Sequence, residues 1–145
     1  MLASVRYDKD TGMAKPEADA ERPFEVDITV LGEVLETVGA AEVGGFVTSI
    51  AADMERLTEH LEASGGTGSL GAIGREAHHL SGGCRALGLS GIGSLCAQIE
   101  ADAREGLIDR FSEYSVELAH QRHALRDWWS TAPADPRLSA FWPLA

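Results

Sequence analysis

Five successive segments of this chain repeat apolar residues at three- and four-residue spacing, and none alternates them. That periodicity fixes the building material as amphipathic helices, each with one stripe to bury. The first carries Ile28, Leu31, Val34, Leu35 and Val38, with Asp27 as the expected N-cap and Gly39 at its end. The second carries Val43, Phe46, Ile50, Met54, Leu57 and Leu61, with Asp53, Glu55, Glu59 and Glu62 on its other face. Residues 64–69 read as a flexible connection. The third helix, about 70–87, carries Leu70, Ile73, Ala77, Leu80, Cys84 and Leu87, and Gly88 is expected to stop it. Ser90 is the expected N-cap of the fourth, which carries Ile92, Leu95, Cys96, Ile99 and Ala103 and closes at Gly106. The fifth, about 109–129, carries Phe111, Tyr114, Leu118, Leu125 and Trp128.

Short connections force such stripes onto one another. The expected fold is all-α: an antiparallel up-down four-helix bundle with a short additional N-terminal helix. Residues 1–24 are polar and unpatterned and are expected to form a flexible tail. The bundle is expected to occupy 25–131. Residues 132–145 hold Pro133, Pro136 and Pro143, which forbid a continuous helix. Phe141 and Trp142 in that Pro-rich tail either fold back onto the bundle or pack loosely.

The chain has 145 residues, a net charge of −11 and 44% hydrophobic residues, enough for one domain with a sizeable core. The acidic balance argues against nucleic acid or an anionic membrane surface as a partner. No apolar run approaches the roughly 20 residues of a membrane span, and no signal-peptide layout opens the chain. The expected location is the cytoplasm, and the expected state is a monomer.

Several patterns that carry chemistry elsewhere fail here. Residues 66–71 spell G-x-G-x-x-G, but a helix precedes them where a strand is needed, and the position about 20 residues on is Gly91, not an acid. Cys84 and Cys96 lie on core faces and read as buried structural thiols. His120 and His123 are three apart, but no Glu-x-x-His arrangement accompanies them, so neither a metal nor another cofactor is expected. His60 is well placed against the C-terminal dipole of its helix.

His78 and His79 are different. With His78 at 0° on a helical wheel, the apolar stripe centres near roughly 230°, and the two histidines sit near 0° and 100°. Periodicity does not choose between them. Arg75, Gly82 and Arg85 fall near about 60°, 40° and −20°, bracketing His78. A mid-helix glycine costs about 1 kcal/mol relative to alanine, and Gly83 repeats the cost. A bare backbone beside a solvent-facing imidazole suits close approach by another macromolecule. Flanking arginines suit an anionic adduct. They stand out because residues 26–131 hold 7 basic and 16 acidic residues.

The run Ala77-His78-His79-Leu80-Ser81-Gly82-Gly83-Cys84-Arg85-Ala86-Leu87-Gly88 resembles the signature of the histidine-containing phosphotransfer (HPt) domain of bacterial two-component phosphorelays. The run Leu95-Cys96-Ala97-Gln98-Ile99-Glu100-Ala101-Asp102-Ala103-Arg104-Glu105-Gly106 is similar to that family's following helix. The resemblance implies that His78 accepts a phosphoryl group and that His79 holds a variable position. It implies that Glu100 accepts a hydrogen bond from the imidazole Nδ1–H, leaving Nε2 as nucleophile. It implies that Arg104, Arg75 and Arg85 balance the phosphoryl charge. One departure is Ser81, where the family often has Lys; the only lysines here are Lys9 and Lys15. Gly82 keeps the family's glycine.

The resemblance further implies a phosphocarrier, not an enzyme with an ATP site. The partners would be response-regulator receiver domains and a sensor histidine kinase or its receiver, with Mg²⁺ on the receiver alone. Docking contacts are expected among Leu31, Leu35 and Phe46. The competing expectation, favoured by Ser81, is a degenerate member acting as a non-phosphorylated interaction module.

Overall fold

The computed structural model describes residues 22–63 and 70–142. The tail at 1–21, the connection at 64–69 with most of its glycine motif, and Pro143 lie outside the described residues. Every regular element among the described residues is helical: α1 (Ile28–Val38), α2 (Ala40–Ala63), α3 (Leu70–Ala86), α4 (Ser90–Arg104) and α5 (Phe111–Thr131). Two single turns of 3₁₀ helix follow at Ala132–Ala134 and Ser139–Phe141. The most extensive packing is α3 on α4 and α2 on α5; α2 also meets α3, α4 meets α5, and α1 rests on α2. The stripes meet in one core, where Met54, Leu57, Ile73, Ile92, Leu95, Ile99, Leu118 and Leu125 are fully buried.

Local chemistry sets the ends. The Asp27 carboxylate accepts from the Val30 amide at 3.2 Å, capping α1. Gly39, at φ 88°, ends α1, and its carbonyl accepts the Val43 amide at 3.1 Å inside α2. Gly88, at φ 80°, stops α3 in a Schellman turn: Leu89 N–H donates to Cys84 O at 2.8 Å and Gly88 N–H to Arg85 O at 3.1 Å. Gly88 has a second reason to be glycine. A Cβ there would lie 2.6 Å from the Asp27 carbonyl oxygen. The Asp27 amide donates to Gly88 O at 2.7 Å, so the start of α1 is tied to the α3–α4 turn.

Some expectations need correction. Ser90 is the first residue of α4, not its cap; the cap position is Leu89, which has no capping side chain. Val47 is buried in α2, whereas Phe46 stands 44% exposed. The two lie at nearly equal angles from the stripe's centre, on opposite sides. The side holding Val47 faces α5, where Gly44 receives the Trp129 ring at 3.4 Å. The side holding Phe46 faces α3, and α3 ends at Ala86, short of that level. Leu31 and Leu35 are 1% and 2% exposed, so they belong to the core and are not docking contacts.

The described residues on both flanks, 22–27 and 132–142, lie against the bundle. Arg22 pairs with Glu117 at 2.8 Å and also donates to the Gln98 side-chain oxygen, while Gln121 Nε2 donates to Arg22 O at 2.9 Å. Leu138 is fully buried. Phe24, Trp128, Trp129 and Trp142 form a chain of ring contacts, centroids 5.6, 5.8 and 5.3 Å apart.

Candidate functional site

The seam between α3 and α4 runs antiparallel. Gly74 faces Ala103 and Arg104, His78 faces Glu100, and Ser81 and Arg85 face Gly93. Small residues bring the two backbones close. A Cβ on Gly74 would sit 3.9 Å from the side chains of Ala103 and Arg104, and one on Gly93 would sit 3.0 Å from Arg85 Cγ. Ser81 Oγ donates to the Gly93 carbonyl at 3.0 Å and is buried. The result is a firm two-helix base for the side chains on its outer edge.

On that edge, His78 Nδ1 lies 3.0 and 3.1 Å from the two Glu100 carboxylate oxygens. A carboxylate only accepts, so Nδ1 carries the proton and the Nε2 lone pair points outward. The His78 side chain is 70% exposed while Glu100 is 13% exposed. Arg104 reaches the same Glu100 Oε2 at 2.6 Å. Among the described residues nothing bonds to His78 Nε2. His79, one residue on, is exposed and has no polar partner among them. The tie that the helical wheel left between the two histidines is broken by the angle at which α4 packs.

The other residues singled out from the sequence divide into two groups. Arg75 and Arg104 line one open depression of about 600 Å³ together with Leu70, Gly71, Gly74, Ala103, Glu105 and Gly106. Arg75 is exposed, folds back along Gly71, and has no carboxylate partner among the described residues. Gly82 lies one turn beyond His78, and a Cβ there or on Gly83 would meet nothing within 4 Å. Among the described residues nothing requires either glycine. Arg85 and Ser81 fall elsewhere: Arg85 lies over Gly93, and Ser81 is turned into the seam, away from the imidazole.

Sequence reasoning missed a second pair. His60 Nδ1 lies 2.6 Å from Glu76 Oε2 across the α2–α3 seam. The dipole argument for His60 found its helix end but not its partner. It also missed Tyr114, whose hydroxyl donates to Asp102 at 2.5 Å while Arg110 covers the ring at 5.0 Å, joining α4 to α5. Burial, reinforced by the Asp102 contact, pushes that phenol well above its usual range. Cys84 and Cys96 are free and buried. Burial, with Asp53 adding to it, pushes the Cys84 thiol up to about 12; Cys96 is raised by burial and by Cys84. No group of three or more His, Cys, Asp or Glu suited to a metal occurs among the described residues. No described helix is long and apolar enough to cross a membrane.

The site is thus an outward-facing imidazole fixed through one nitrogen on a two-helix base, with Arg104 on the same carboxylate and the bare backbone of Gly82 and Gly83 one turn on. The Hpt domain model matches residues 43–128. The chain belongs to the Hpt domain family, whose members are phosphocarrier modules that meet receiver domains and histidine kinases in two-component signalling. No curated protein matches the chain. No solved structure matches it either.

Proposed function

We propose that the chain is a phosphorelay intermediate that accepts a phosphoryl group on His78 Nε2 from a receiver-domain aspartyl phosphate and passes it to a second response regulator. The observation that carries this reading is the pairing of an exposed His78 side chain with a nearly buried Glu100 at its Nδ1. Phosphoryl transfer asks little of a protein beyond positioning and charge stabilisation. An imidazole held in one tautomer supplies the nucleophile. The receiver supplies its own Mg²⁺, and the carrier needs no cofactor. Arg104 and Arg75 line the depression beside His78 and are the cations suited to the incoming charge. Arg85 is a more distant contributor. Ser81 supports the site by holding α3 to α4, not by replacing the usual lysine.

The helix contacts support an antiparallel up-down bundle of α2 to α5, with α1 as the additional N-terminal helix. Gly82 and Gly83 give a receiver a flat approach, and Phe46 is the remaining apolar contact candidate on α2. A cytoplasmic monomer suits such a role. The test is a transfer assay with a phosphorylated receiver domain and Mg²⁺. Acid-labile, base-stable label is expected on the wild type and none on His78→Gln. A wild type left unlabelled by several cognate receivers would contradict the proposal and favour an interaction module without phosphorylation.

A further inference from the structure

We infer that Arg104 is an exchangeable counter-ion, bound to Glu100 in the resting site and moving to the phosphoryl group once Nε2 carries it, so that Glu100 is released to the charged ring. This rests on His78 being the phosphoryl acceptor. It begins with one oxygen that serves two donors: Glu100 Oε2 lies 3.0 Å from His78 Nδ1 and 2.6 Å from Arg104. The three side chains differ in freedom. Glu100 is 13% exposed and held, whereas His78 is 70% and Arg104 67% exposed.

The charges explain why an arginine belongs there. A lone carboxylate beside a histidine favours the imidazolium, which has no lone pair at Nε2 and does not attack. A guanidinium on the same oxygen cancels much of that field, and it stays charged at every working pH. The resting carboxylate then orients the ring through Nδ1 while its charge is shared with Arg104. The transfer step reverses the demand. The Nε2 lone pair forms the N–P bond as the P–O bond to the aspartyl group breaks, and the aspartate carboxylate leaves with that electron pair. The proton stays on Nδ1, so the ring becomes positive while the phosphoryl group brings two negative charges. Glu100 is now best used on the ring, and a cation is needed at Nε2.

Arg104 is the cation already inside the cluster. No lysine occurs between residues 22 and 142, and Arg85 lies over Gly93. Arg75 lines the same depression as Arg104 from the α3 side. Moving one guanidinium keeps Glu100 paired with a cation before and after transfer and sets one positive charge against the phosphoryl group's two, with Arg75 lining the same depression. The charged group in contact with His78 is Glu100 on α4, which Arg104 also meets; Arg75 and His79 are the nearest titratable groups along α3. The histidine that α2 contributes, His60, lies at the α2–α3 seam, where Glu76 engages it.

The test compares the full chain with Arg104→Gln and Arg104→Lys, reading initial transfer rate from one phosphorylated receiver across pH, with helicity checked by circular dichroism. Arg104→Gln is expected to transfer about tenfold or more slowly near neutrality, the loss of one charge-assisted contact, and its rate is expected to rise at higher pH than the wild type's. Arg104→Lys is expected to recover most of both properties. In the wild type, the ¹⁵Nε resonance of Arg104 is expected to shift on phosphorylation. A folded Arg104→Gln slowed equally at every pH, or not slowed, overturns the exchange while His78 remains a carrier. An unshifted Arg104 resonance does the same. A wild type that takes no label at His78 overturns the carrier reading and the exchange together.

Discussion

α3 carries one histidine–glutamate pair on each flank, and the two differ in exposure and in what shares the carboxylate. On the α2 side, His60 meets Glu76 at 2.6 Å, with both side chains partly covered. On the α4 side, His78 meets Glu100 at 3.0 Å, but the carboxylate is shared with Arg104 and the imidazole stands far into solvent. The contact between nitrogen and carboxylate is therefore not what sets the two pairs apart. What sets His78 apart is its greater exposure, an arginine on the shared carboxylate, and the bare backbone of Gly82 and Gly83 alongside. The α2–α3 pair ties two helices together. At the α3–α4 seam Gly93 and Ser81 join the helices, and the pair there leaves its imidazole exposed, as the proposed nucleophile requires.

Exchanging the two histidines for glutamine gives the largest contrast. His78→Gln is expected to lose all phosphoryl label in the receiver assay, and His60→Gln is expected to keep it. Loss in both would mean that the α2–α3 pair shapes the site as well. Next in size is the bare face. Gly82→Trp projects from a position where a Cβ meets no described atom within 4 Å, so the fold should persist while transfer slows on the order of tenfold, about 1.4 kcal/mol. The companion Gly82→Ala is expected to gain about 1 kcal/mol in denaturant unfolding, since among the described residues nothing requires the glycine. A Gly82→Trp protein that transfers at the wild-type rate would place the docking surface elsewhere.

How far the sequence could be read follows from the same contrast. Helix identities and most core positions were legible, because a buried stripe repeats with the helix period and glycines such as Gly88 and Gly106 close their helices. The choice between Phe46 and Val47 was not, since it turns on where α3 ends relative to α2. Periodicity placed His78 and His79 only in angle; the resemblance chose His78, and what the wheel could not show is that α4 sets Glu100 beside it. Arg85 sat beside His78 on the wheel, yet it lies two turns further along the axis, a coordinate that a wheel discards. Ser81 read as a missing lysine because its hydroxyl's partner, the Gly93 carbonyl, is invisible in a one-dimensional pattern.

Smaller effects sharpen the contrast between the seams. Ser81→Ala removes the bond to Gly93 and is expected to cost about 1 kcal/mol in denaturant unfolding, with transfer little changed. Glu76→Gln on the other seam is expected to cost less than about 1 kcal/mol, because that pair is partly solvated. A larger cost for Glu76→Gln than for Ser81→Ala would reverse the ranking of the two seams.

The last prediction expects no change at neutral pH. Burial raises the Cys84 thiol from 9.0 to about 12, so native protein should resist alkylation at pH 8. A raised thiol is neutral in the fold at a pH where the unfolded chain already ionises. Its contribution to stability is therefore full below about pH 9 and lost as pH climbs toward 12. Rapid alkylation at pH 8 in the folded state would contradict that burial.

The most direct measurement is ¹⁵N and ³¹P NMR of the histidine rings before and after phosphorylation by a receiver. A resting His78 protonated at Nδ1 and a phosphorylated His78 coupled to phosphorus through Nε2 are the predicted result. Phosphorus on Nδ1 of His78, or on His79 or His60, would contradict the account, because each of those places the nucleophile where this geometry does not hold one.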